Sequence, residues 1–311
     1  MEQDLHRHDI EDTRNTKYYF SFITLGVLVG VASSTFLHLL KLVTNLRFEN
    51  GSLVFFLPVA MVIVNYCYKK LSPVSERGNN LIIDEIHHPK REIPLILIPL
   101  ILCSTLISHL FGASVGREGS AVQMGGAIGS YLSKLFGHSK RKRTVLLMAG
   151  CGAGFGSAIG APIAGAIFGI EAIYLNVKIR FSTFIECLMA SYIAYFTTHL
   201  LSTPHSTYLR FSDIDFTWKN IFYSLIAGLA FGVVARFFIA LIDFFKTYLN
   251  ELKRPLLITF IGSITLVACF YLLADISSQR YMGLGIEVIQ LSLHEFSSYK
   301  DTVYKFFLTV Q

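Results

Sequence analysis

The chain has 311 residues, of which 53% are hydrophobic and only 15% charged, with a positive mean hydropathy. That balance excludes an ordinary soluble domain of this length and makes the lipid bilayer the main solvent. The formal charge of +6 sits in short loops between apolar stretches rather than on one polar face, which excludes a nucleic-acid surface and reads as a positive-inside signal.

In chain order, Met1–Thr16 mixes both charge signs and lacks the apolar core and cleavage site of a secretory signal. Residues 1–17 are expected to form a cytoplasmic N-terminal tail. Apolar runs of about 20 residues mark spanning helices, here expected over Tyr18–Val43, Leu53–Tyr68, Ile93–Phe111, Phe184–Leu201, Ile221–Leu249 and Leu256–Leu273. Three stretches between them are interrupted. Gly78–His87 is too short and polar to cross, Val115–Leu135 opens on Gly116-Arg117-Glu118-Gly119, and Val145–Leu175 is broken by glycines and Pro162. Irregular backbone at membrane depth is tolerated only against protein or a wet cavity, so these stretches point to a site. The fold class is an all-α polytopic membrane protein with re-entrant or broken helices.

Charge sets the orientation. Lys69-Lys70, Lys90-Arg91, Lys140-Arg141-Lys142-Arg143, Lys178 with Arg180, and Lys253-Arg254 all fall on the cytoplasmic side if Gly78–His87 is re-entrant. The same arrangement needs Val115–Leu135 to start at mid-membrane and Val145–Leu175 to bend back near Ala161-Pro162. An inverted repeat accompanies it, because Gly78 follows Tyr18 by 60 positions and Gly283 follows Lys219 by 64. The expected organisation is a first membrane repeat over 18–201, an extracellular loop over 202–218 and a second repeat over 219–311. A counterpart of Gly116 would fall near position 321, beyond Gln311.

A helix that begins inside a membrane aims unpaired N–H groups and the positive end of its dipole at the midplane, and anions bind there. Gly78-Asn79-Asn80 and Gly116-Arg117-Glu118-Gly119-Ser120 both place glycine at such a start, where the missing Cβ lets an ion approach the backbone. These eight residues are the candidate site. Glu118, expected to be buried, is the candidate gate: charged, it competes with an anion for the N–H groups, and protonated it withdraws. The structural alternative is a turn in which Glu118 pairs with Arg117.

Other chemistry-bearing residues receive blander readings. Gly125-Gly126, Gly129 and the alternating glycines from Gly150 to Gly156 suit close helix packing. The five cysteines are isolated, and His87-His88 lacks zinc spacing, so no metal or cofactor is expected. Glu171 reads as a helix-end carboxylate, and Glu186 is an intramembrane acid without an assignment.

Gly116-Arg117-Glu118-Gly119 followed by Ala121-Val122-Gln123-Met124-Gly125, with Gly160-Ala161-Pro162-Ile163-Ala164-Gly165-Ala166-Ile167-Phe168 downstream, resembles the gating-glutamate and following-helix motifs of the CLC family of anion channels and proton-coupled antiporters. The resemblance implies a CLC-like inverted-repeat bundle, a homodimer with one anion path per subunit, and a secondary transporter rather than an enzyme. Asn79 stands where chloride-handling members carry a serine, Ser120 replaces the usual proline, and Ala172 aligns with the internal proton glutamate of chloride/proton antiporters. These departures resemble the fluoride/proton antiporter branch. The expectation is a multi-pass plasma (inner) membrane protein that exports fluoride using the proton gradient. A chloride channel or chloride/proton antiporter is the same-class alternative. The family's second-half anion turn and pore tyrosine have no counterpart before Gln311, so the second repeat is expected to be truncated, and a non-transporting scaffold or dimerisation module is the alternative of another class.

Overall fold

The computed structural model describes residues 2–87, 93–171, 181–205, 217–251, 254–273, 281–286 and 289–290. Among these the regular elements are helical: α1 (Glu2–Glu49), α2 (Leu57–Leu71), α3 (Asn79–His87), α4 (Leu97–Leu110), α5 (Arg117–Leu135), α6 (Lys140–Ile159), α7 (Pro162–Glu171), α8 (Phe181–Leu200), α9 (Trp218–Glu251) and α10 (Pro255–Leu273). Four stretches are long and apolar enough to cross a membrane: Thr16–Glu49, Gly51–Leu71, Trp218–Leu249 and Pro255–Leu272.

Prolines trim the expected spans. A 3-10 turn over Gly51–Phe56 precedes α2, because Pro58 has no N–H to give and disfavours helix before it. Pro94 likewise delays α4 to Leu97. Helix α1 runs past the expected end at Val43 to Glu49. The break expected near Ala161-Pro162 is present. Gly160 ends α6 in the left-handed region with φ 84°, and Pro162 opens α7, the usual glycine-out, proline-in pattern. Ala172, the position aligned with an internal proton carrier, lies outside the described residues.

The chain divides into two compact units, one of Met1–Glu49, Tyr66–Leu110 and Gly116–Ser206, the other of Asn50–Asn65, Phe111–Val115 and Thr207–Gln311. In the first, α5 packs on α6, and α6 on α7 and α8. The glycines expected to serve packing are what allows this. A Cβ on Gly125 would strike the Gly150 carbonyl, one on Gly150 would strike Gly125, and one on Gly154 would strike Ala121. The α5 and α6 backbones therefore touch directly, as small-residue helix pairs do. Helix α1 closes on α8 through Gly26 and Gly30, which meet the Ala190 and Ala194 carbonyls, and on α6 through a Ser157–Ser33 hydroxyl bond of 2.8 Å. In the second unit, Val54, Leu57, Leu266, Tyr281 and Met282 form a small core, and the Ser114 hydroxyl donates to the Gly283 carbonyl at 3.2 Å.

Arg143, expected to be a cytoplasmic loop cation, is instead mostly buried at the first turn of α6. It donates to Glu85 of α3 at 3.1 Å and to the Ser130 hydroxyl of α5 at 3.4 Å. Such desolvated charges must be paired to be tolerated. Here the pair fastens the far end of α3 to α5 and α6.

Candidate functional site

Two helix starts meet in the first unit. A 3-10 turn over Pro73–Arg77, closed by a 2.7 Å bond between the Ser72 and Ser75 hydroxyls, delivers the chain to Gly78. Gly78 sits at φ 53°, a conformation open to glycine and costly for other residues, and α3 begins at Asn79. Thirty-eight residues after Gly78, Gly116 in extended conformation precedes α5 and offers no side chain to cap it. The N-terminal end of α5 thus receives no cap from its own N-cap side chain, the arrangement that suits an anion.

These starts are adjacent. A Cβ on Gly119 would lie 3.4 Å from the Asn79 carboxamide nitrogen, and one on Gly78 would lie 3.6 Å from the Gln123 carboxamide nitrogen. The Asn79 and Gln123 amides are therefore interleaved with the two glycines, and both amides can donate, whereas the Gly78 N–H is given to the Ser75 carbonyl at 3.1 Å. Asn79 and Asn80 are exposed, Gly78 and Gly119 half-buried.

The other expected residues take different places. The Ser120 hydroxyl shares a 2.7 Å hydrogen bond with Thr105 of α4, so this side chain fastens α5 to α4 rather than pointing at a ligand. Arg117 is the buried member of the motif, 8% exposed. Its Nε donates to Glu118 Oε1 at 3.2 Å, the pairing weighed above as the structural alternative. Glu118 was expected to be buried, yet 37% of its side chain is exposed. The reason is local: a first-turn side chain can fold back over the N-cap, and Glu118 Oε2 stands 3.3 Å from where a Gly116 Cβ would be.

Three participants escaped the sequence reading. Gln123 entered only as a letter in a motif, although a buried amide one and a half turns below Glu118 is itself a polar signal in an apolar helix. Thr105 and His109 looked like ordinary members of the apolar α4 run. His109 is 2% exposed, and Arg47, Arg117 and Glu118 act on it electrostatically. Glu186, unassigned from sequence, lies buried in α8 near Tyr18, at the start of the apolar part of α1, and Lys142 Nζ lies 4.3 Å from the centre of the Tyr18 ring.

A fold of apolar and broken helices, two of whose starts lie side by side at polar residues, defines the class: an all-helical, polytopic membrane protein. The family model described as voltage gated chloride channel matches residues 60–310, and the chain belongs to that family, the CLC proteins. It is 35% identical over 273 residues to the "Chloride/fluoride channel protein" of Pseudomonas syringae pv. tomato, which covers 85% of this chain and 59% of that one. The chain thus spans little more than half the length of that relative. It is 31% identical over 154 residues to an "H(+)/Cl(-) exchange transporter ClcA" of Vibrio cholerae, covering 47% and 32% respectively. Among solved structures, a CLC-type fluoride/proton antiporter superposes with a TM-score of 0.88 at 29% identity, covering 95% of this chain and 74% of that one. A slow cyanobacterial Cl-/H+ antiporter at 18% identity and a TM-score of 0.75 shares the fold, over 94% of this chain and 72% of that one.

Proposed function

We propose that the chain is a fluoride/proton antiporter, a secondary transporter that exports fluoride as protons enter, with Glu118 as the protonatable gate. The observation that carries this reading is the contact of Asn79 with Gly119, which brings an amide donor from one helix start onto the first turn of the other, beside Glu118. The likeness to the Pseudomonas chloride/fluoride channel protein and to the fluoride/proton antiporter supports the choice of ion.

The anion is held by N–H groups alone: the backbone at Asn79, Asn80, Gly116, Arg117, Gly119 and Ser120, with the Asn79 amide, while Gly78, whose N–H goes to the Ser75 carbonyl at 3.1 Å, supplies the turn and the open approach. Fluoride is a small, strongly hydrated hydrogen-bond acceptor, so its binding needs several converging donors to replace water. Ionised Glu118 competes for the same donors. Protonation removes its charge, frees the first turn of α5 for the anion and carries a proton in the opposite sense. The basic loops and the match to membrane relatives support an inner-membrane, multi-pass placement with the N-terminus cytoplasmic, and the family supports a homodimer.

The test is flux. Vesicles containing the protein and loaded with fluoride should release it when an inward proton gradient is imposed, taking up protons as they do. Glu118→Gln should abolish proton uptake. Chloride movement faster than fluoride movement would favour a chloride channel or exchanger. No ion movement by the 311-residue chain would favour a membrane scaffold.

A further inference from the structure

Gln123 is a buried amide to which that mechanism gives no task. It lies in α5 four residues after Gly119 and three before Gly126, a spacing that puts all three on one helix face. That face lies against α3. A Cβ on Gly119 would meet the Asn79 amide nitrogen at 3.4 Å, and one on Gly126 would meet Ile82 at 3.0 Å. Gln123 stands between them, its Nε2 3.6 Å from where a Gly78 Cβ would be. The side chain is therefore turned to the start of α3. Only 7% of Gln123 is exposed, and its Oε1 is buried and meets no hydrogen-bond partner among the described residues.

A buried carbonyl without a donor is costly, and such atoms in folded proteins are met by a ligand or an ordered water. The chemistry of the group says which. A carbonyl oxygen only accepts, so it repels an anion and takes an O–H, whereas the Nε2 of the same amide only donates and takes the anion directly. A fluoride ion that keeps one of its waters satisfies both ends. Resting on the reading of fluoride as the exported ion, we infer that Gln123 is a specificity-determining residue of the α3 start. Its Nε2 donates to fluoride, its Oε1 accepts from one water of the ion's shell, and the second O–H of that water stays on the ion. Only hydrogen bonds are exchanged. Chloride is larger and holds its water less firmly, so it gains less from an amide of this fixed reach. The donors at the two helix starts are thereby joined by one from the next turn of α5.

The test reads binding and does not depend on transport. The melting temperature of the 311-residue chain in detergent is measured with and without sodium fluoride, since a ligand of the folded state raises it. Methionine is close to glutamine in length and volume but offers neither N–H nor carbonyl. Removing an unpaired buried amide should leave the fluoride-free melting temperature of Gln123→Met unchanged or higher, while its fluoride-dependent rise falls by more than half. The rise given by sodium chloride should differ little between the two chains. An equal fluoride-dependent rise in both overturns the inference, because an amide that is merely buried has no part in ion binding. Should the methionine variant fail to fold, the side-chain 15N resonance of Gln123 in the unsubstituted chain is followed as fluoride is added. It should shift more than with chloride, and an equal shift or none overturns the inference. No fluoride-dependent rise in the unsubstituted chain would instead sink the fluoride reading itself, and the inference with it.

Discussion

Asn79 and Gly119 are 40 positions apart, yet a single methyl on Gly119 would touch the Asn79 amide at 3.4 Å. The two helix starts are thus packed side by side, with room at Gly119 for little more than a methyl.

Gly119→Ala should accordingly leave the fold intact, because 3.4 Å is an ordinary contact, while lowering fluoride flux several-fold by crowding the donors. Thermal melting in detergent and vesicle flux measured side by side check this. Equal flux would mean that the Asn79–Gly119 contact lies outside the ion path.

The α5–α6 contact makes a sharper demand. Gly125→Ala places a methyl inside the van der Waals radius of the Gly150 carbonyl, and overpacking of this kind costs about 1–3 kcal/mol. Gly228 of α9 has nothing within 4 Å of its Cβ position, so Gly228→Ala should be neutral or stabilise by up to about 1 kcal/mol through helix propensity. Denaturation midpoints of the two variants should move in opposite directions or differ by this margin.

Breaking the Glu85–Arg143 pair should be costly in either direction. Removing one partner from a buried pair leaves the other charge uncompensated, about 3–5 kcal/mol. Glu85→Ala and Arg143→Met should each lower the melting temperature sharply, and combining Glu85→Leu with Arg143→Leu should recover part of the loss. Additive losses in the double variant would show that the two charges are not coupled.

His138, in the loop between α5 and α6, has its imidazole held below the usual histidine range, first by partial burial and then by the nearby Lys142 ammonium. A depressed folded-state value means that the unfolded chain binds the proton more readily. The resulting stability is present above the ordinary histidine value near pH 6.5 and is lost as pH falls through the folded value. His138→Gln should therefore flatten that part of the stability curve, measured as melting temperature against pH, and an identical slope would assign the acid sensitivity elsewhere.

Much of the framework was legible because it is written in local chemistry. Hydropathy located the long helices, the glycine and proline pair at Gly160 and Pro162 marked the break, and the Gly-Arg-Glu-Gly run marked a helix start. Helix ends at Leu57 and Leu97 were misjudged by a few residues, since an apolar run does not reveal where a proline lets the helix begin. Glu118 was placed in the right motif and given too much burial, because exposure depends on which way a first-turn side chain folds.

By itself, then, the sequence determined that this is a helical membrane protein with two interrupted, glycine-led helix starts and an ionisable side chain at one of them. Composition, periodicity and turn chemistry act over a few residues, and a few residues suffice to encode them. Only the tertiary structure decided that Asn79 reaches Gly119, that Ser120 turns to Thr105 and that Glu85 takes Arg143. Each of these depends on which backbones can approach, and that was settled by glycines such as Gly125 and Gly150, whose missing side chains let distant segments come within contact of one another.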